Sequence, residues 1–280
     1  MFIFRKAADL SQFLATLQKP VGFVPTMGAL HAGHQSLFAR AVVDGYFTVA
    51  SVFVNPTQFN DPADFEKYPI TTAEDLKMLT EAHCDAVYLP TVADVYPEGL
   101  EGAPAFDFGA LETVLEGEKR PGHFRGVGQV VSRLLDIVQP QHLYLGQKDF
   151  QQCRVIADLI RQKRLNTQLH ICPTVREADG LAMSSRNRRL SPFERAKAGV
   201  IYQCLVSIEA QQKTRPFAVV AKESRELLEH KGFVVEYVSL ADAETLSLLE
   251  EYDTSRKMVA LIAARLGNTR LIDNLLLSED

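Results

Sequence analysis

Apolar and polar positions change rhythm in regular blocks over the first 175 residues. VGFVPTM (21–27), FTVASVFV (47–54), DAVYLP (85–90), HLYLG (142–146) and TQLHICPTV (167–175) are short, nearly continuous apolar runs. Such runs predict strands buried on both faces. Between them lie segments of helical period. HQSLFARAVVD (34–44) puts Leu37, Phe38, Ala41 and Val42 on one stripe, and TTAEDLKMLTEAHC (71–84), GVGQVVSRLLDIV (126–138) and DFQQCRVIADLIRQ (149–162) follow. The repeated β-α-β order predicts an open parallel sheet with helices on both faces. After Ser191 the texture changes. Ser191 as a cap and Pro192 at the first helical position predict one long helix over 191–212, followed by a second near 216–230. FVVEYVSLAD (233–242), KMVALIAAR (257–265) and TRLIDNLLL (269–277) read as three strands. The fold class is therefore α/β: a Rossmann-like parallel-sheet domain over 1–175, then a smaller C-terminal α+β domain over 176–280.

Composition narrows this little further. Of 280 residues, 46% are hydrophobic and 23% charged, which excludes collagen, coiled coil and wholesale disorder. Thirty basic residues against 35 acidic ones give a net charge of −5, which argues against a nucleic-acid partner but leaves room for a local positive pocket. Cys84, Cys153, Cys172 and Cys204 form no CxxC pair, so neither zinc nor a disulfide framework is suggested. The opening MFIFRKAADL has too short an apolar run for a signal peptide, and no run of 18 apolar residues crosses a membrane. The expectation is a cytoplasmic protein with no membrane partner.

The chemistry collects where strands end. VGFVPTM runs into GALHAGH and then a helix, the place where free N–H groups and the helix dipole favour phosphate. Gly28 and Gly33 permit close backbone approach, and His31 and His34 can face one side. Two imidazoles there can donate hydrogen bonds or a proton; the alternative is surface or zinc-ligand histidines. After the next strand, Asn55 and Gln58 of FVNPTQF carry amides suited to a hydroxyl or carboxylate, or else mark a plain turn. YLGQKDFQQ places Lys148 at a strand–helix junction as a phosphate contact, with Gln152 four residues on and Asp149 as a cap, a ribose contact or a metal contact. In VREADGLAMSSRN, Met183 to Arg186 offer two hydroxyls and a guanidinium that can grip phosphate oxygens. Arg120 and Arg125 of RPGHFRGV flank a Gly-Pro loop able to close on phosphates. There is neither a P-loop nor a GxGxxG fingerprint.

PTMGALHAGH resembles the HxGH signature of the nucleotidylyltransferase superfamily, shared with class I aminoacyl-tRNA synthetases, and MSSRN resembles its KMSKS-type signature. FVNPTQF, RPGHFRGV, GQKDFQQ and RLIDN are similar to the pantoate–β-alanine ligase family over nearly the whole chain. That resemblance implies ATP-dependent joining of pantoate to β-alanine through a pantoyl-adenylate, with Mg²⁺, releasing AMP and pyrophosphate. It implies ATP contacts at Met27, Gly28, Ala29, Leu30, His31, Ala32, Gly33 and His34, at Gly146, Gln147, Lys148 and Asp149, at Val175, and at Met183, Ser184, Ser185 and Arg186. His34 matches the proton donor. Gln58 and Gln152 match the glutamines that hold pantoate, Gln58 also lying near β-alanine. No residue is assigned to the metal, and a cytoplasmic homodimer is implied. Gln147 stands where the family commonly has Glu. Competing readings are a nucleotidylyltransferase for another acid, or a nucleotide-sensing or RNA-binding module; the paired glutamine segments argue against the first and the charge against RNA.

Overall fold

A computed structural model describes residues 1–59, 65–66, 68–102 and 104–278. The chain divides into two compact units, a larger one of Met1–Gly146 with Gln151–Cys172 and a smaller one of Gln147–Phe150 with Pro173–Asp280.

The larger unit is built on β1 (Phe2–Phe4), α1 (Ala7–Leu14), β2 (Val21–Thr26), α2 (Ala32–Val43), β3 (Phe47–Val52), α3 (Thr72–Glu81), β4 (Ala86–Tyr88), α4 (His123–Val138), β5 (His142–Gly146), α5 (Phe150–Gln162) and β6 (Gln168–Cys172). Its six strands run in the order β1-β4-β3-β2-β5-β6, every pair parallel. Neighbouring residues on a strand face opposite sides. Phe23 and Val49 enter a core with Leu134 of α4 and Ile156 of α5, while Val24 and Ala50 enter another with Phe38 of α2 and Leu79 of α3. Both faces are covered, which is why these strands read as unbroken apolar runs. Strand order reverses between β2 and β5, and in open parallel sheets the crevice at such a reversal is where ligands bind.

One feature of this unit was not anticipated from the sequence, and two differ from what it predicts. The opening Phe2–Phe4 is an edge strand paired with β4, and the Phe2 and Phe4 rings pack on Phe13 of α1. Within RPGHFRGV, only the residues before His123 lie outside a helix; Arg125 is on α4 and paired with Glu112 at 2.7 Å. Finally, α5 begins at Phe150 after a short 3-10 turn, Gln147–Asp149, so Lys148 and Gln152 do not share one α-helical face.

The smaller unit contains α6 (Pro192–Ala198), α7 (Val200–Gln211), α8 (Phe217–His230), β7 (Phe233–Asp242), β8 (Leu248–Leu249), β9 (Met258–Leu266) and β10 (Thr269–Leu276). The strands form an antiparallel sheet in the order β10-β9-β7-β8. Met258, Ala260, Ile262 and Ala264 of β9 pack with Ile201, Leu205 and Ile208 of α7. Ser191 caps α6 in a reciprocal box with Glu194, as its position predicts. The expected long helix is broken at Gly199, where a Cβ would lie 2.6 Å from the Asp179 carbonyl oxygen. Two-residue β8 was too short to leave a period in the sequence. Among the described residues no helix is long and apolar enough to cross a membrane.

Candidate active site

β2 delivers the chain into the 27–34 turn beside the β2/β5 reversal. Gly28 has φ +80° and Ala29 φ +50°. The left-handed region costs a residue with a Cβ roughly 1–2 kcal/mol, so Ala29 needs support. Asp75, 2% exposed, supplies it from the first turn of α3. Its Oδ2 accepts from Ala29 N–H (3.1 Å), and its Oδ1 from Leu30 N–H (2.8 Å) and the Thr71 hydroxyl (3.2 Å). A Cβ at Gly28 would meet Asp75 Oδ2 at 2.8 Å and Val52 Cγ1 at 3.0 Å, so the inward carboxylate accounts for this glycine. Sequence reasoning missed Asp75. The available signal was a carboxylate on the same helical stripe as Leu79, four residues on.

His31 and His34 cap α2 reciprocally. Gly33 N–H donates to His31 Nδ1 (3.2 Å), and His31 N–H donates to His34 Nδ1 (3.3 Å). A ring nitrogen that accepts carries no proton, so the hydrogen-bond pattern assigns both neutral rings their proton on Nε2. The rings sit 4.1 Å apart between centroids. Two Nε2–H donors thus belong to one short turn at a helix N-terminus, an arrangement suited to anionic oxygens.

Gln58, 8% exposed, donates through Nε2 to Met27 Sδ, so the structure brings these two predicted residues together. Asn55 is fully buried and engaged within the fold. Its Nδ2 donates to Thr57 Oγ1 (2.9 Å) and the Gly126 carbonyl (3.2 Å), and its Oδ1 accepts from the Tyr96 hydroxyl (3.0 Å). Buried His123 contacts the Gln58 carbonyl through Nδ1 (2.8 Å) and Arg120 Nη1 through Nε2 (3.0 Å). Because the guanidinium only donates, Nε2 accepts and Nδ1 carries the proton toward Gln58. One nitrogen of the Arg120 guanidinium thus orients a histidine. In α5, Gln151 spends its amide on Leu111, Val114 and Glu116 backbone groups, while the next residue, Gln152, is half-buried.

Gly146 ends β5 in the larger unit. The smaller unit carries the remaining candidates. Lys148 Nζ lies 3.4 Å from Asp149 Oδ1, and Gln147 Nε2 donates to Asn274 Oδ1 (3.2 Å). Val175 and Met183 meet across a short hairpin, Met183 N–H donating to the Val175 carbonyl at 3.0 Å, with Asp179 and Gly180 at its tip. The expected strand to 175 therefore stops at Cys172. Ser184 caps the Ser185–Arg189 turn, its hydroxyl accepting from Arg186 N–H (3.3 Å).

No three or more His, Cys, Asp or Glu side chains gather as a metal cage among the described residues. The cysteines are buried, with burial pushing Cys84 up to about 12 and Cys204 up to about 11, far from a thiolate nucleophile at neutral pH.

A family model described as pantoate–β-alanine ligase matches residues 2–276. A pantothenate synthetase of Flavobacterium psychrophilum is 43% identical over 280 residues, covering 98% of this chain and 99% of its own. The crystal structure of pantothenate synthetase from Thermus thermophilus superposes with a TM-score of 0.91 at 40% identity, covering 98% of this chain and 99% of that one. A pantoate–β-alanine ligase from Francisella tularensis, complexed with beta-gamma ATP and beta-alanine, gives 0.83 at 33% identity with both chains fully covered. A family match along almost the full length, on a six-stranded parallel sheet with a small antiparallel one, settles the lineage: the chain belongs to the pantoate–β-alanine ligase family, the ligases of pantothenate formation.

Proposed function

We propose that the chain carries out its family's reaction, the ATP-dependent joining of pantoate to β-alanine, in two steps through a pantoyl-adenylate. The observation that carries this reading is the pair of Nε2–H donors on His31 and His34 at the sheet reversal, with Gln58 against Met27. In the first step a pantoate carboxylate oxygen bonds the α-phosphorus, the bond from that phosphorus to the bridging oxygen breaks, and pyrophosphate leaves. Charge grows on the phosphate oxygens as this happens, and preorganised donors act most strongly there. His31, His34, Lys148 and Arg186 supply them, His34 filling the family's proton-donor position by hydrogen bonding through Nε2–H. ATP is held by residues 27–34 of the larger unit, by Gly146, Gln147, Lys148 and Asp149, by Val175, and by residues 183–186. It enters as its magnesium complex, the cation travelling with the substrate. Gln58 and Gln152 hold the hydroxyl and carboxylate of pantoate. In the second step the β-alanine amine attacks the acyl carbon, AMP departs and the amine loses a proton.

An adenylate is the route these residues favour. A free carboxylate is a poor electrophile, and the four buried thiols, with Cys84, Cys172 and Cys204 raised by burial, offer no acyl carrier. The same reading takes 1–175 as the nucleotide-binding catalytic domain and the protein as a cytoplasmic homodimer without nucleic-acid or membrane partners. With ATP, Mg²⁺ and pantoate but no amine, the enzyme should release about one pyrophosphate per active site, as a retained intermediate requires. Positional oxygen exchange in ATP should accompany it. A strict need for β-alanine in both signals overturns the two-step reading.

A further inference from the structure

Two adjacent residues of β10 do work that the reaction scheme leaves unassigned. Asn274 is 2% exposed, and its amide is committed to the short Gln147–Asp149 turn. Nδ2 donates to the Gln147 carbonyl (3.0 Å) and the Lys148 carbonyl (2.9 Å), while Oδ1 accepts from Gln147 Nε2 (3.2 Å). The turn runs straight into α5, and two of its carbonyls are held by a side chain from a distant strand, which fixes the turn's orientation.

Asp273, 5% exposed, holds Arg176 from both oxygens: Nη1 reaches Oδ2 at 2.6 Å and Nη2 reaches Oδ1 at 3.1 Å. Arg176 also donates to the Gly180 carbonyl (3.0 Å) and the Asn274 carbonyl (3.3 Å), and its guanidinium lies 3.8 Å over the Tyr202 ring. Burial raises the Asp273 carboxyl, against the pull of Arg176 and, more weakly, of Lys148. Arg176 stands on the first leg of the hairpin, bridged to Ala182 on the second, and that second leg runs directly into Met183 and Ser184. One strand therefore anchors both cationic segments of the smaller unit, Lys148 through Asn274 and the approach to Arg186 through Asp273.

We propose that Asp273 and Asn274 form a positioning clamp that sets Lys148 and the 183–186 loop for the ATP phosphates. The proposal rests on the functional reading above and adds to it residues that touch no substrate. A displacement near 1 Å at a charge-stabilising group costs about 10²-fold in rate. A clamp that acts through Lys148 has a signature that general loosening of the fold lacks: its loss stops mattering once Lys148 is gone.

The test is a double-mutant cycle on the full chain, measuring pyrophosphate release with ATP, Mg²⁺ and pantoate for the wild type, Asn274→Ala, Lys148→Ala and the double variant. Circular dichroism checks that each is folded. Asn274→Ala should slow release about 10²-fold and raise the KM for ATP. In the Lys148→Ala background the same change should cost less than about threefold. Losses that multiply across the cycle overturn the clamp. If Asn274→Ala does not fold, Asn274→Ser, which keeps one donor, enters the cycle with a smaller expected loss and the same non-additivity; multiplying losses overturn the proposal there too. A wild type that releases no pyrophosphate from ATP and pantoate removes the functional reading itself, whereas an active wild type with multiplying losses removes only the clamp.

Discussion

The 27–34 turn and the Gln147–Asp149 turn both present cationic or hydrogen-donating side chains, yet they are held in different ways. In the first, the caps come from within the turn, His31 and His34 accepting from N–H groups two and three residues away, and one buried carboxylate steadies the backbone. In the second, the carbonyls are tied down by an amide from a strand 126 and 127 residues further along. Local capping makes the histidines part of the scaffold that they depend on. Remote clamping leaves the Lys148 side chain outside its own support. Substitution at a histidine should therefore mix stability with activity, while Lys148 and its clamp should separate them.

The largest effect expected is at His34. His34→Ala removes a transition-state donor, worth about 10²–10³ in rate, and also a helix cap, worth about 1 kcal/mol. The two losses can be parted. Gln is a good third residue of a capping box, so His34→Gln should recover most of the melting temperature while turnover stays low. If His34→Gln recovers turnover along with stability, the histidine matters only as a cap, and the contrast between the two turns disappears.

What the sequence made legible follows the same division. β5 and β7 matched their expected bounds because apolar runs declare themselves over five to ten residues. The turn after β2 was legible as a helix start because its capping partners lie within four residues of each other. Asp75 and Asn274 were not, since what they do depends on partners some 45 and 126 residues away, and spacing carries no trace of that. The contact between Arg120 and His123 was not legible for a related reason: it forms only when His123 comes round on α4 to meet the guanidinium. At Gly28, singled out for close backbone approach, the first group a Cβ would meet is the Asp75 carboxylate.

Asp75→Asn tests the steadying carboxylate at a smaller scale. The amide offers one acceptor where the carboxylate serves two N–H groups, so Ala29 or Leu30 loses its partner. An unpaired buried N–H costs roughly 1–3 kcal/mol. The expected outcome is a rise of about tenfold in the KM for ATP, since about 1.4 kcal/mol is tenfold in binding. The KM for pantoate should move less, because the Gln58 backbone is held by the Pro56–Gln58 turn and α4, and only its amide reaches the nucleotide turn, at Met27. Equal shifts for both substrates would show that Asp75 supports the unit in general and not the nucleotide turn.

The smallest effect expected comes from an intermediate arrangement, partners on adjacent strands 28 residues apart. His142 Nδ1 and His170 Nε2 are 3.0 Å apart, with Tyr46 stacked on His142 and Tyr144 on His170. Tyr144 donates to Asp44, which also pairs with Arg40. Burial, joined for His142 by the other imidazole, lowers both histidines from the ordinary value of 6.5. A hydrogen bond between two imidazoles needs an acceptor, so it fails when both are protonated. The unfolded chain takes up these protons first as the pH falls through about 6.5, so the stabilisation is complete above that value and erodes below it, down to the depressed folded values. His142→Gln keeps an acceptor for His170 and removes one titration. Between about pH 7.5 and 5 the wild type should lose about 1–3 °C more in melting temperature than this variant. A difference that stays constant across the range would mean the pair does not titrate with folding, and that adjacent strands shield their partners as fully as the buried Asn274 is shielded.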